Sequence, residues 1–181
     1  MFLSQRLLFG SVLLLLAANA VLYNALFTPH KPSVTVFPVG KEGRAALIQS
    51  SSDSLFLIDA GPDAGILRAL GSAVPPWRHS IDAVLLTDAS AKISGGLPDV
   101  LRRYHVLALL RPAKMGSRSA ETSLSAAVGE SPDLRTVSIP SSTRVSLGND
   151  ISVSVISTGK FLVSFGESSL LVSSSTPAGR Y

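Results

Sequence analysis

Cysteine is absent from this chain of 181 residues, which excludes a disulfide framework, a thiolate nucleophile and a cysteine-ligated metal. Histidine is scarce. His30, His79 and His105 are the three present, in a linker, a loop and a helix-to-strand junction, and none stands at ligand spacing from another. Charge is thin as well, at 15% of residues. The net charge of +4 and the pI near 9.8 therefore come from scattered basic residues, a weak footprint for nucleic acid. Serines are frequent, but no Gly-x-Ser-x-Gly elbow occurs and no base stands beside a candidate nucleophile. There is no internal repeat.

What is present begins with hydrophobic content of 46%, enough for one core of ordinary size and too little chain for a second full domain. Residues 7–27, "LLFGSVLLLLAANAVLYNALF", carry no charged side chain. As a helix they would span about 31 Å, close to a bilayer's hydrocarbon core. Tyr23 suits an interfacial belt and Arg6 flanks the other end. Ala18-Asn19-Ala20 has the small-x-small form that a signal peptidase accepts. The apolar pattern nevertheless continues through Val21, Leu22, Ala25, Leu26 and Phe27, which favours a retained anchor over a cleaved signal. Arg6 before the segment and His30 and Lys31 after it nearly balance, so the expected orientation, amino terminus inside and domain outside, rests on a slight bias.

Beyond the Pro29 to Pro32 linker the chain turns to strand-like runs. "SVTVFPV", "AALIQ" and "SLFLID" are separated by turn residues, the spacing of a β-meander, and Pro38 places the first at an edge or a bulge. A short helix around Ile66 to Leu70 is expected to end at Gly71, with Pro75-Pro76 blocking continuation. "IDAVLLT" and "VLALL" read as strands buried on both faces. Between them "LPDVLRRY" is helical, with Leu97, Val100, Leu101 and Tyr104 on one stripe and Pro98 in the first turn. Residues 117–128 form a weaker helix. Short strands resume at "TVSI", "TRVSL" and "ISVSVI", and "FLVSF" and "SSLLVS" close as a hairpin through Gly166-Glu167.

The run "LIDAGPDAGILRALGSAVPPWRHSIDAVLLT", followed by "GGLPDVLRRYHV", resembles the metallo-β-lactamase-type domain at the end of the DNA-uptake channel protein of natural competence, the ComEC family. The resemblance covers nearly all of the chain after the linker and is densest over residues 57–106. It implies an α/β fold, the metallo-β-lactamase-type αββα sandwich in a shortened form, behind an amino-terminal transmembrane helix. It also implies where metal ligands should stand. In the family a threonine is followed by His-x-His/Asp-x-Asp-His and then by x-Gly-Gly, a rigid turn whose imidazoles and carboxylates hold zinc or manganese.

Laid on this sequence, those positions fall on Asp88, Ser90, Lys92 and Ile93. Asp88 could still donate an oxygen, Ser90 is a poor ligand, Ile93 has no lone pair, and the Lys92 ammonium would repel a dication. Acidic positions after the first strand fall on Pro38 and Arg44, a bridging aspartate falls on Ser175, and the family's last histidine segment has no counterpart before Tyr181. The supporting frame is kept: Asp59, Gly61 and Pro62, then Gly95 and Gly96. Asp59 is expected to accept hydrogen bonds from the turn's backbone amides. Gly95 and Gly96 are expected to allow close packing and an unusual backbone angle.

The expected organisation is an anchor or signal peptide over 1–28, a linker over 29–33 and a metallo-β-lactamase-like domain over 34–181. The expected protein is a single-pass membrane protein with an extracytoplasmic, catalytically inactive domain and no bound metal or other cofactor, no catalytic residue and no small-molecule substrate. Its role would be a binding or accessory module for DNA or a competence-system protein. Arg102 and Arg103, in the densest basic region with Arg111, Lys114 and Arg118, are the candidate phosphate contacts, against a solvated helix face as the plainer reading. Two alternatives stand beside it: a metal-dependent hydrolase using Asp59, Asp63 or Asp88, and a surface-exposed structural protein. Lys92 has its own pair of readings, an internal cation offsetting Asp88 and Asp59 or simple exposure.

Overall fold

The computed structural model describes residues 2–27, 31–41, 43–87, 90–112, 118–139, 144–147, 151–157, 160–165, 168–173 and 179–180. Two units divide the chain, Met1–His30 and Lys31–Tyr181.

The first unit is one helix, α1 (Phe2–Phe27). Its described side chains, those of residues 10–24, are all exposed, including Leu13 at 72%, Leu14 at 74% and Val21 at 70%. Among the described residues no helix is long and apolar enough to cross a membrane. The expected transmembrane span is therefore not carried by them.

The second unit opens with the expected meander: β1 (Ser33–Val39), β2 (Gly43–Gln49) and β3 (Leu55–Ile58) pair antiparallel in sequence. From β3 onward the pairing changes sense. Helices now intervene between strands, and β3, β4 (Ser80–Leu85), β5 (His105–Pro112) and β6 (Arg135–Ile139) run parallel. A parallel neighbour needs a crossover, and the crossovers are α2 (Gly65–Ala73), α3 (Ala91–Ser94) with α4 (Leu97–Arg103), and α5 (Arg118–Gly129). A two-residue strand, β11 (Gly179–Arg180), adds to the outer edge of β1 at Thr35 and Val36, giving a seven-stranded sheet in the order β11-β1-β2-β3-β4-β5-β6. Pro38 lies outside that short pairing and is exposed, as a residue without an amide proton must on an edge.

The second sheet is wholly antiparallel, β10-β9-β8-β7, built from β7 (Arg144–Leu147), β8 (Ile151–Ser157), β9 (Lys160–Phe165) and β10 (Ser168–Ser173). Its last hairpin pairs as expected, while the Gly166-Glu167 turn lies outside the described residues.

Two apolar clusters explain the layers. On one face of the large sheet, Leu57, Val84 and Leu109 pack with Ile66, Leu70, Leu97, Val100 and Leu124 of the helices. On the other face, Ile58, Ala83 and Leu85 pack with Ile151, Val153 and Val163 of the second sheet. Adjacent residues of β3 thus serve opposite cores: Leu57 is 0% and Ile58 1% exposed. Burying each such side chain contributes about 2 kcal/mol, which is why this strand reads as a continuous apolar run. No helix residue joins the second cluster, so among the described residues the arrangement is helices, sheet and sheet, without the fourth layer of a full αββα sandwich.

One helix boundary differs from expectation. Gly71 lies inside α2, which continues to Ala73 and stops at Val74 in extended conformation. Pro75 is the reason, because the ring of a proline disfavours helical backbone in the residue before it.

Candidate functional site

Strands β1 and β3 to β6 all begin at one end of the large sheet and finish at the other. The segments after β3 and β4 therefore meet at the carboxyl end, where open α/β sheets ordinarily place their ligands. Asp59 to Pro62 and Thr87 to Gly96 are those segments.

Asp59 is 7% and Thr87 4% exposed. The Thr87 amide donates to Asp59 Oδ1 at 2.8 Å, and the Thr87 hydroxyl lies 3.0 Å from Oδ1 and 2.8 Å from Oδ2. These described donors come from the end of the neighbouring strand, 28 residues away. Asp59 holds φ at 58°, a left-handed conformation that aspartate tolerates better than most residues. Its amide donates to Leu85 O and the next amide, of Ala60, to Ile93 O, both at 2.8 Å, while Gly96 N–H reaches Gly61 O at 2.9 Å. The turn after β3 is thereby laced to the end of β4 and to the middle and the end of the Ser90 to Gly96 segment.

That lacing explains the glycines. A Cβ on Gly61, which has φ 68°, would stand 2.5 Å from Val39 Cβ, one on Gly96 would stand 2.6 Å from Asp63 O, and one on Gly95 would meet Ala91 O at 2.6 Å and run into Pro62 O. The expected unusual backbone angle is absent, since Gly95 (φ −60°) and Gly96 (φ −83°) are in the ordinary right-handed region. Close approach is what excludes a side chain, from Pro62 at Gly95 and Gly43 and from the Ala60 and Asp63 carbonyls at Gly96.

The positions that the family resemblance assigned to metal ligands stand in this frame as follows. Asp88 lies outside the described residues. Ser90 precedes the four-residue helix α3, its carbonyl accepting from Ile93 N at 2.9 Å and its side chain making no capping bond. Lys92 is exposed and Ile93 half-buried. Asp63, one of the alternative ligands, accepts the Gly65 amide at 2.8 Å and closes the turn into α2, as aspartates before helices do. Among the described residues no three histidine, aspartate or glutamate side chains gather to hold a metal. A hydroxyl, an ammonium and a hydrocarbon do not fit a divalent cation.

The basic run of the sequence is divided by the fold. Arg102 and Arg103 end α4 at the strand-start end of the sheet, whereas Arg111 comes near the finish of β5. Lys114 lies outside the described residues. Arg102 donates to Asp99 Oδ1 at 2.6 Å, and the Arg103 guanidinium sits 5.8 Å from the Tyr104 ring centre. Neither is at the end that holds Asp59, Thr87 and the Ser90 to Gly96 segment. Ser175 is outside the described residues; Pro38 and Arg44 face each other across the β1–β2 register.

Two features escaped the sequence reading. Thr87 as the partner of Asp59 had no local spacing to reveal it. Arg78, part-buried, bridges Asp53 at 2.7 Å and Asp82 at 3.2 Å, while Asp82 Oδ2 also accepts the Leu55 amide at 2.7 Å. This cluster ties the β2–β3 turn to the loop before β4.

A mixed seven-stranded sheet with helices on one face and a second sheet on the other, its turns converging at the carboxyl end, is the metallo-β-lactamase fold. Zinc-bound PqqB from Methylobacterium extorquens matches with a TM-score of 0.57 at 16% identity over 77% of this chain and 61% of that one. The metallo-β-lactamase fold protein YhfI from Bacillus subtilis matches at 0.53, with 18% identity over 78% and 61%. A Cronobacter sakazakii metallo-β-lactamase with a HARLDQ motif matches at 0.51, with 18% identity over 86% and 67%. This chain spans about three fifths of the length of the first two. No family model and no curated protein matches the sequence.

Proposed function

We propose that this protein is a membrane-held, non-catalytic member of the metallo-β-lactamase fold that acts as a binding or accessory module, in DNA uptake by the resemblance to the competence channel family. The observation that carries the non-catalytic reading is the pairing of an intact frame with unsuitable donors. Asp59, Thr87 and the close-packed glycines hold the loop, yet the positions that resemble ligands present Ser90, Lys92 and Ile93. Metal hydrolysis needs lone pairs that fix the cation and leave one position for water. Lys92 and Ile93 supply neither.

The membrane reading is supported by α1. Its backbone is helical over 26 residues, about 39 Å at 1.5 Å per residue, and residues 7–27 are uncharged. The stretch with described side chains, 10–24, is too short by itself, so the helical backbone and the uncharged sequence together support the proposal. Apolar side chains on every described face favour lipid over an aqueous surface.

The DNA reading rests on the resemblance, an associational warrant, and on Arg102 and Arg103, both exposed. The Arg102–Asp99 pair, with 68% of the arginine side chain exposed, is worth at most about 1 kcal/mol, so a phosphate can compete for the guanidinium. Elemental analysis of the purified full chain, joined to phosphodiesterase assays in added zinc or manganese, tests the whole. We expect sub-stoichiometric metal and no turnover. Stoichiometric metal with turnover would establish the second reading, a metal-dependent hydrolase, which the intact Asp59–Thr87 frame favours.

A further inference from the structure

We propose that the cavity between β1, β2 and the end of α2 binds a small uncharged molecule bearing several hydroxyls, of the size of a sugar ring. The strand register builds it. Val34 and Val36 of β1 pack in the cluster between the two sheets, so Ser33, Thr35 and Phe37 lie on the helix face, with Ser33 opposite Gln49 and Thr35 opposite Leu47 of β2. The facing wall exists because α2 runs past Gly71. Its last two residues, Ser72 and Ala73, close a space of about 180 Å³. β5, which follows Arg102 and Arg103, is four places from β1 in the sheet order, about 19 Å at the usual strand spacing. The cavity is therefore separate from the proposed phosphate contacts.

Ser33 carries the inference. It is 9% exposed and lines the cavity, yet its hydroxyl has no hydrogen-bond partner among the described residues. A hydroxyl so far out of bulk water and unpaired in the protein calls for a partner inside the cavity. Thr35, half-buried, adds a second unpaired hydroxyl. Ser72 Oγ donates to Ala69 O at 2.7 Å and Gln49 Nε2 to Asp53 Oδ1 at 2.8 Å, which leaves the serine oxygen and Gln49 Oε1 as acceptors. Among the described residues no ionisable side chain lines the space. An anion would meet no cation there and a cation no carboxylate, and an unpaired charge is costly away from bulk water. A neutral ligand that donates at several points suits these oxygens, while Phe37, Leu47 and Ala73 offer apolar walls to its C–H face.

The size agrees. One water needs roughly 10–15 Å³ of such space, so the cavity offers about a dozen water-sized positions, and a hexose has about a dozen heavy atoms. The inference stands on this cavity alone and needs neither the membrane nor the DNA reading.

Saturation-transfer NMR on the full chain, held in a detergent without a sugar headgroup, tests it with glucose, galactose and mannose, and with glucuronate as the charged counterpart. Transfer to at least one neutral hexose and far less to glucuronate is expected. Thr35→Val keeps the shape and removes a hydroxyl that bonds to nothing in the protein. It should leave the melting temperature unchanged and weaken binding about three- to tenfold. Ser72→Phe, at an exposed helix position, should abolish the response by filling the cavity. Transfer to none of the three hexoses shows that water alone fills the space and overturns the proposal. A response that survives both variants, or that is as strong with glucuronate, overturns it as well.

Discussion

Thr87 is doubly joined to Asp59: one residue supplies an amide and a hydroxyl to both oxygens of the other, at 2.8–3.0 Å, with each less than a tenth exposed. Thr87→Val keeps the shape and removes the hydroxyl, leaving a buried acceptor short of a donor. We expect a loss of about 1–3 kcal/mol in urea unfolding, and most of it restored in Thr87→Ser. Equal losses in the valine and serine variants would show that the methyl, and not the hydroxyl, matters.

The glycines separate into two kinds. Gly96→Ala forces a Cβ to 2.6 Å from Asp63 O, while Gly71→Ala inside α2 meets nothing within 4 Å. The first should destabilise by about 1–3 kcal/mol, and the second should stabilise by about 0.5–1 kcal/mol, because alanine is the better helix former. Thermal melts of the two variants decide it, and a neutral Gly96→Ala would contradict the close approach.

A metal bound at a hundred times its dissociation constant adds about 2.7 kcal/mol of stability. Zinc or manganese should leave the melting temperature of the native chain unchanged. The Asp88→His, Ser90→His, Lys92→Asp, Ile93→His variant should gain a zinc-dependent shift, since the Asp59 and glycine frame is already in place. A shift in the native chain would revive the hydrolase reading.

Arg78 is 17% exposed at its side chain and holds two aspartates, while Arg102 is 68% exposed and holds one. Arg78→Ala is expected to cost about 1–3 kcal/mol by stranding Asp82 beside the Leu55 amide. Arg102→Ala should stay within about 0.5 kcal/mol. Chemical denaturation of both variants compares them, and similar costs would mean the Arg78 cluster is no more than a surface ion pair.

If Arg102 and Arg103 contact phosphates, replacing both with alanine should weaken binding to duplex DNA and flatten its dependence on salt by about two counterions. Binding measured across a salt series checks this. An unchanged slope removes these residues from the proposal.

Much of the domain was legible before folding because its signals are local. Short strand-like runs between turn residues marked the meander, continuous apolar runs marked strands buried on both faces, and the Leu97, Val100 and Tyr104 stripe marked α4. The proline pair was legible too, but the helix ran past Gly71 to Ala73, since the chain is stopped by Pro75 acting on Val74 and not by Gly71. The two-residue strand β11 left no pattern to read, being defined only by its partner Thr35–Val36.

At the site, the identity of the side chains alone determined that Lys92 and Ile93 are poor company for a cation, because lone pairs and charge belong to the residue and not to the fold. The tertiary structure decided what those residues could not announce. It brought Thr87 to Asp59 across 28 residues, made Gly95 and Gly96 necessary through backbone approach at ordinary angles, and split Arg102 and Arg103 from Arg111. Such facts depend on which strand ends lie side by side, and parallel pairing sets that at distances no local pattern spans.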